Sequence, residues 1–228
     1  MAGPLFIQRV HVDPARAPEW AVRTPAISHV AEFDLAFRQP ITILTGGNGV
    51  GKSTLLEGIA RAWGFGVEGG TWGVDKPSAQ DAMFGALTLT TGPKAKAGYF
   101  LRAEAVERVN YFGGRSHGES VMELTSRLIP NALYLMDEPE SGLSAVAQMA
   151  LLAQLHALAE QDAQVIRVTH SPILTAVPGA QLLEVDDDGI HKREVEETMA
   201  FRAMRDFLDD PHGIAEFMVQ WASDQRAP

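Results

Sequence analysis

The order of elements predicts an α/β protein with a largely parallel core sheet. Three apolar, strand-like runs, Ile41–Thr45, Ala132–Met136 and Val165–Thr169, recur along the chain, and the first two are each followed by a stretch with helical character. Lys52–Trp63 places Leu55, Leu56, Ile59 and Trp63 at helical spacing, and Ser144–Ala159 carries no charge and is rich in Ala, Leu and Met. The composition suits one globular core: 228 residues, 46% hydrophobic and 21% charged.

Taken in order, Leu5–Val12 reads as a strand, after which Pro14, Pro18 and Pro25 break the backbone into a loop. Ala31–Phe37 alternates apolar and polar residues and is expected to be a half-buried strand. Residues 64–78 read as a Gly-rich loop, Ala86–Thr90 and Tyr99–Arg102 as short strands, and Gly118–Leu128 as a helix stopped by Pro130-Asn131. Ser144–Ala159 is expected to be a well-buried helix. Gln181–Val185 and Ile190–Val195 flank Asp186-Asp-Asp-Gly189 as a hairpin. Glu196–Trp221 reads as an amphipathic helical tail divided near Pro211, serving as a packing lid on the core. The whole chain, 1–228, is expected to form a single domain, with a core of about 1–78 and 130–228 and a small lobe of about 79–129.

Composition narrows function. No cysteine is present, which removes disulfides, thiolate metal sites and cysteine nucleophiles. No run reaches the roughly 18 apolar residues of a membrane span, and the N-terminus lacks a basic stretch followed by an apolar one, so a cytoplasmic protein is expected. The net charge of −10 argues against a protein that coats nucleic acid with its whole surface. Charge is uneven: residues 193–224 hold eight acidic and three basic side chains. The window from Lys94 to Arg115 is basic, with Tyr99, Tyr111 and Phe112 interleaved; it is a weakly supported nucleic-acid contact, and a solvated charged face is the favoured reading.

The strongest chemical signal is Gly46-Gly47-Asn48-Gly49-Val50-Gly51-Lys52-Ser53, followed by Thr54. It fits G-x-x-x-x-G-K-[ST] and lies between an expected strand and an expected helix. Glycines let successive N–H groups converge on one anion, and the helix N-terminus adds its positive end. Lys52 can then reach the β/γ-phosphates of ATP, and the Ser53 hydroxyl can ligate Mg2+. Leu133-Tyr-Leu-Met136 ends in Asp137-Glu138, an apolar strand delivering carboxylates to the sheet edge where phosphate-bound Mg2+ sits. Asp137 is the candidate metal partner and Glu138 the candidate general base.

From here the sequence resembles the ABC-type ATPase domains. Ser116-His-Gly118-Glu119-Ser120 looks like a variant of that family's signature loop, Pro139-Glu-Ser141-Gly142-Leu143-Ser144 is similar to its D-loop, and Thr169-His170-Ser171 stands where the family has its switch histidine. The resemblance covers Gly46 to Ser171. It implies a P-loop NTPase fold with antiparallel β elements and a small helical lobe bearing the signature loop. It further implies Mg2+-dependent ATP hydrolysis, an ATP-dependent homodimer with nucleotide between one P-loop and the partner's signature loop, and roles near the γ-phosphate for His170 in cis and for Ser116, Gly118 and Glu119 in trans.

The chain departs from the family pattern in three places. Ser144 replaces the D-loop's final Asp. Arg102-Ala-Glu104 stands where a glutamine is expected, leaving Glu104 as an oxygen ligand or Arg102 as a phosphate contact. The adenine platform is open between Trp20 and Phe37. The short spacing from Lys52 to Ser116 leaves no room for a long coiled-coil arm. The chain is most similar to short, stand-alone soluble bacterial ATPases of the SMC/RecF-like AAA group; the resemblance leaves their physiological role open, with DNA repair or chromosome maintenance as one option. Two other readings are the engine subunit of a membrane transporter and an ATP-clamped switch with negligible turnover.

Overall fold

The computed structural model describes residues 5–73, 83, 85–102, 125 and 128–224. Among them, ten strands form two sheets. β1 (Ile7–Val12), β2 (Leu35–Ala36) and β5 (Leu87–Thr91) make a small antiparallel sheet in the order β2-β1-β5. The larger sheet runs β10-β9-β3-β8-β7-β6-β4, where β3 is Ile41–Gly46, β4 Gly70–Thr71, β6 Ala97–Leu101, β7 Ala132–Asp137, β8 Gln164–Val168, β9 Gln181–Asp186 and β10 Gly189–Lys192. β9, β3, β8, β7 and β6 are parallel; only the edge strands β10 and β4 run the other way. The expected α/β class and mostly parallel sheet are therefore observed.

The central strands are buried on both faces, which is why they read as near-continuous apolar runs. On one face, Leu44, Leu133, Leu135, Ile166 and Val168 pack against α2 (Pro25–Phe33), α3 (Lys52–Trp63) and the small sheet. On the other, Ile43, Tyr134, Met136 and Val165 pack against Leu151, Leu155 and Leu158 of α4 (Ala145–Ala159) and against the 3-10 turn Leu174–Ala176. Gln164 joins the two sheets. Its Oε1 accepts from the Ile7 N–H at 2.8 Å and its Nε2 donates to the Ile7 carbonyl at 2.8 Å, satisfying a buried backbone group in each direction.

Several expectations need correction. Pro18 and Pro25 do not simply break the chain; they sit at helix starts, where a missing N–H costs nothing. Pro18 precedes α1 (Glu19–Val22), and Pro25 occupies the first turn of α2. The expected strand Ala31–Phe37 is thus divided: α2 runs to Phe33, Asp34 turns the chain at φ 56°, and only Leu35–Ala36 pairs with β1. The helix buries Ile27 and Val30, upstream of the alternating residues, and continues into them as far as Phe33. Within the expected loop 64–78, Gly70–Thr71 adds a short edge strand.

α4 is a helix over the expected residues, but it is not well buried. Only Leu151, Leu155 and Leu158 are, while Val146 is 77% and Met149 57% exposed. The tail folds as α5 (Met199–Asp209) and α6 (Pro211–Asp224), divided at Pro211 as expected. It does not act as a packing lid, because none of its residues is buried. The sheet faces are already occupied by α2, α3 and α4, which leaves the tail's apolar stripe without core surface to cover. Phe37 is buried in the core and unavailable as an adenine platform, whereas Trp20, on α1, is exposed. The hairpin at Asp186–Gly189 forms as expected. The helix expected over 118–128 lies outside the described residues except at Thr125 and Leu128, as does most of the proposed lobe.

Candidate functional site

Three parallel strands end together. Leu44 of β3 and Asp137 of β7 are both in register with Val168 of β8. Two further bonds extend the ladder past the strand ends: the Glu138 N–H donates to the Val168 carbonyl (3.1 Å) and the Thr169 N–H to that of Leu44 (3.0 Å). Gly46–Lys52, Asp137–Glu138 and Thr169–Ser171 therefore emerge side by side at one C-terminal edge, where α/β sheets place ligands.

The loop between β3 and α3 takes a shape its glycines require. Gly46 has φ 128°, and a Cβ there would overlap the Val185 carbonyl of the neighbouring β9. Gly51 has φ 92° as the N-cap of α3, and a Cβ there would collide with the Thr24 hydroxyl. The two fixed glycines of the motif are thus each demanded twice, by backbone angle and by space. Val50 is anchored through its carbonyl, which accepts from the Ala26 N–H at 3.0 Å. Gly47, Asn48 and Gly49 complete the loop, and Ser53 and Thr54 lie in the first turn of α3. No side chain caps α3, and no acidic residue occupies its first turn. Its leading N–H groups and positive end are therefore matched to an external anion.

Lys52 folds over this loop. Its ammonium donates to the carbonyls of Gly46 (3.0 Å) and Gly47 (2.5 Å). Burial lowers its pKa, while Glu138 and Asp137 oppose that shift. The Ser53 hydroxyl donates to Asp137 Oδ1 at 3.0 Å. A carboxylate and a hydroxyl at the end of a phosphate-shaped loop suit Mg2+, which takes few protein ligands and draws the rest from phosphate and water. Among the described residues no three His, Cys, Asp or Glu side chains converge into a metal cage, so the donor set fits a nucleotide-borne cation. Next to Asp137, Glu138 adopts φ 45°, a left-handed conformation that a non-glycine residue holds at a cost of about 1–2 kcal/mol. Its Oε1 lies 3.5 Å from His170 Nε2, with both side chains more than a third exposed.

Lys52, Ser53, Asp137, Glu138 and His170 are therefore brought to one place. Ser116, Gly118, Glu119 and Glu104 lie outside the described residues, as do Arg108, Tyr111, Phe112 and Arg115 of the basic window. Arg102 pairs with Glu57 of α3 and donates to the Val67 carbonyl at 2.8 Å, close enough to Asp137 to favour its ionised form. Ser144 caps α4, its hydroxyl accepting from the Ala147 N–H at 3.2 Å. An aspartate could perform the same capping, so the departure from the family pattern leaves the start of that helix intact.

Sequence reasoning missed Glu140 and Arg167. Glu140 Oε1 accepts from the Thr169 hydroxyl, from the His170 N–H at 2.8 Å and from the Ser171 N–H at 3.3 Å, while Oε2 faces Arg167 Nη2 at 3.3 Å. The available signal was an arginine in the middle of an apolar strand, which calls for an acidic partner nearby.

Burial pushes the Asp137 carboxyl up to about 6; the Ser53 hydroxyl opposes this and the nearby Glu138 and Glu57 add to it. In metal-free protein, the folded state therefore keeps a proton that an unfolded aspartate releases near pH 3.8. Stability attributable to this group falls as pH rises from about 4 to about 6 and is level above that. Asp137→Asn removes the dependence while keeping an acceptor for Ser53. In EDTA the variant should gain on the wild type by on the order of 1–3 kcal/mol between pH 4 and pH 7.5. Denaturant melts at the two pH values check this, and an unchanged gap would contradict it.

Residues 27–85 match the model of a family of AAA domains, a segment that contains most of α2 and all of β3, the glycine-rich loop and α3. No curated protein matches the chain. Solved structures with a similar fold include the SMC head domain from Thermotoga maritima, at 12% identity and a TM-score of 0.45, covering 82% of this chain and 99% of that one. Another is a metal-chelate type ABC transporter in an inward-facing conformation, at 17% identity and a TM-score of 0.40, covering 76% of this chain and 81% of that one. The chain is an α/β protein with a mostly parallel sheet, and its residues 27–85 are similar to an AAA domain.

Proposed function

We propose that this chain is a cytoplasmic, Mg2+-dependent ATPase of the ABC type that pairs with a second copy when ATP binds. The observation that carries the reading is the convergence of Lys52, the Ser53–Asp137 pair and the Glu138–His170 pair at the flush ends of β3, β7 and β8. The loop Gly46–Gly51 and the uncapped start of α3 hold the phosphates, and Lys52 leaves its two loop carbonyls to meet them. Ser53 and Asp137 would hold Mg2+, which would supply charge screening at the phosphates and help orient the terminal phosphoryl group. Glu138 positions the attacking water and takes its proton, and His170 contacts the γ-phosphate. Trp20 is the remaining candidate to stack on adenine, since it is exposed on α1, immediately before the Thr24–Ala26 segment that touches Gly51 and Val50.

Pairing rests on the resemblance of Ser116–Ser120 to a signature loop and on the exposure of Asn48 and Gly49 in the glycine-rich loop. Light scattering of Glu138→Gln with and without Mg-ATP tests it. With hydrolysis blocked, the mass should double only when ATP is present. A mass that stays monomeric while ATP binding is demonstrated separately would reject self-pairing and point to a different partner subunit.

A further inference from the structure

We propose that Glu140 is a positioning residue that sets the distance between Glu138 and His170, an inference that rests on the hydrolytic reading above. The geometry is a closed ring. The backbone turns back at Glu138, whose carbonyl accepts from the Ser141 N–H at 3.1 Å, and the turn carries the Glu140 carboxylate across to the segment after β8. There Oε1 collects three donors: the Thr169 hydroxyl, the His170 N–H and the Ser171 N–H. The His170 imidazole returns to Glu138 at 3.5 Å, so two residues of chain on one side and one hydrogen-bonded carboxylate on the other fix the pair. A second clasp lies alongside: the Ser171 hydroxyl donates to Gln148 Oε1 (2.6 Å), and Gln148 Nε2 donates to the Leu143 carbonyl (3.1 Å).

Arg167 shows that the clasp is more than a loop contact. Its side chain is fully buried, and among the described residues Nε and Nη1 have no hydrogen-bond partner and Glu140 is the one acid it meets, at 3.3 Å through Nη2. A buried guanidinium with two unsatisfied N–H groups is costly, and a neighbouring carboxylate offsets that cost only when held in place. The arginine therefore pins Oε2 while Oε1 orders the His170 segment. Glu140 itself touches neither the glycine-rich loop nor Lys52, so its effect is expected on turnover and not on ATP affinity.

The test compares Glu140→Ala/Arg167→Met with Glu140→Gln/Arg167→Met. Neither variant leaves an unpaired buried charge, the change most apt to unfold the chain, and they differ in whether a side-chain acceptor remains for the His170 N–H, since the Ser171 N–H also donates to the Thr169 hydroxyl at 3.0 Å. Both should bind Mg-ATP within about threefold of wild type. Because a misplacement of about 1 Å can cost about a hundredfold, kcat should fall about 10- to 100-fold in the alanine form and stay within about threefold of wild type in the glutamine form. Amide exchange at His170 should quicken only in the alanine form. Equal kcat in the two folded variants, beside an active wild type, would overturn the inference. A wild type that binds ATP and releases no phosphate would instead overturn the hydrolytic reading, and the catalytic role with it, while the exchange measurement still distinguished the two variants.

Discussion

Lys52→Ala should lower Mg-ATP affinity by about 100-fold or more, read by equilibrium titration with a fluorescent ATP analogue. The lysine is the only cation seated inside the loop among the described residues, and it already donates two hydrogen bonds there at 3.0 and 2.5 Å. On binding, the ammonium exchanges those carbonyls for phosphate oxygens; each charge-assisted bond to phosphate is worth about 1.5–3 kcal/mol, so a variant that cannot make two of them loses about a hundredfold or more. The fold should survive, because the Gly46 and Gly47 carbonyls that lose their donor border the ligand space and can take water. Removing a partly buried cation also removes its desolvation cost, the cause that lowers the Lys52 pKa. The melting temperature of the nucleotide-free variant should therefore equal or slightly exceed that of the wild type. A variant that bound ATP normally would show that the phosphates lie elsewhere.

Glu138→Gln should separate binding from chemistry. The amide preserves size and can still accept a hydrogen bond from His170, but it cannot take a proton from water. A positioned general base contributes about 10²- to 10⁴-fold, so kcat should fall within that range while ATP affinity changes by no more than a few fold. The left-handed backbone at Glu138 sharpens the expectation. Glu138→Gly would relieve the strain and raise stability or leave it level, yet it should lose turnover to the same degree, because relief of backbone strain does not replace the carboxylate.

How much of this was legible in the sequence depends on what each feature is made of. The glycine-rich loop was legible because backbone angle and steric overlap act on the residues themselves. Gly46 and Gly51 sit where any other residue would clash, so composition reports geometry directly. β3, β7 and β8 were legible because strands covered on both faces must be apolar throughout. Their alignment brought Asp137 and His170 to Lys52 without any further signal.

Other features were ambiguous locally. Residues 31–37 show a strand's alternation, but the helix that Pro25 opens and that buries Ile27 and Val30 runs on through Phe33. The uncharged sequence of α4 suggested burial, but such a helix can equally leave one face open, as Val146 and Met149 do. The amphipathic tail revealed its apolar stripe but not whether core surface remained for it to cover. Glu140 was invisible for a different reason: its meaning lies in contacts 27–31 residues away, with Arg167, Thr169, His170 and Ser171, and no local pattern encodes them.

The central claim is that one site, built on Lys52, Asp137 and Glu138, hydrolyses ATP. Steady-state phosphate release tests it most directly, with wild type, Lys52→Ala and Glu138→Gln prepared together and assayed in Mg2+ and in EDTA. The wild type should turn over in Mg2+ alone, Lys52→Ala should lose binding and turnover together, and Glu138→Gln should lose turnover with binding kept. Phosphate release that survives in Glu138→Gln at the wild-type rate, or that proceeds undiminished in EDTA, would contradict it.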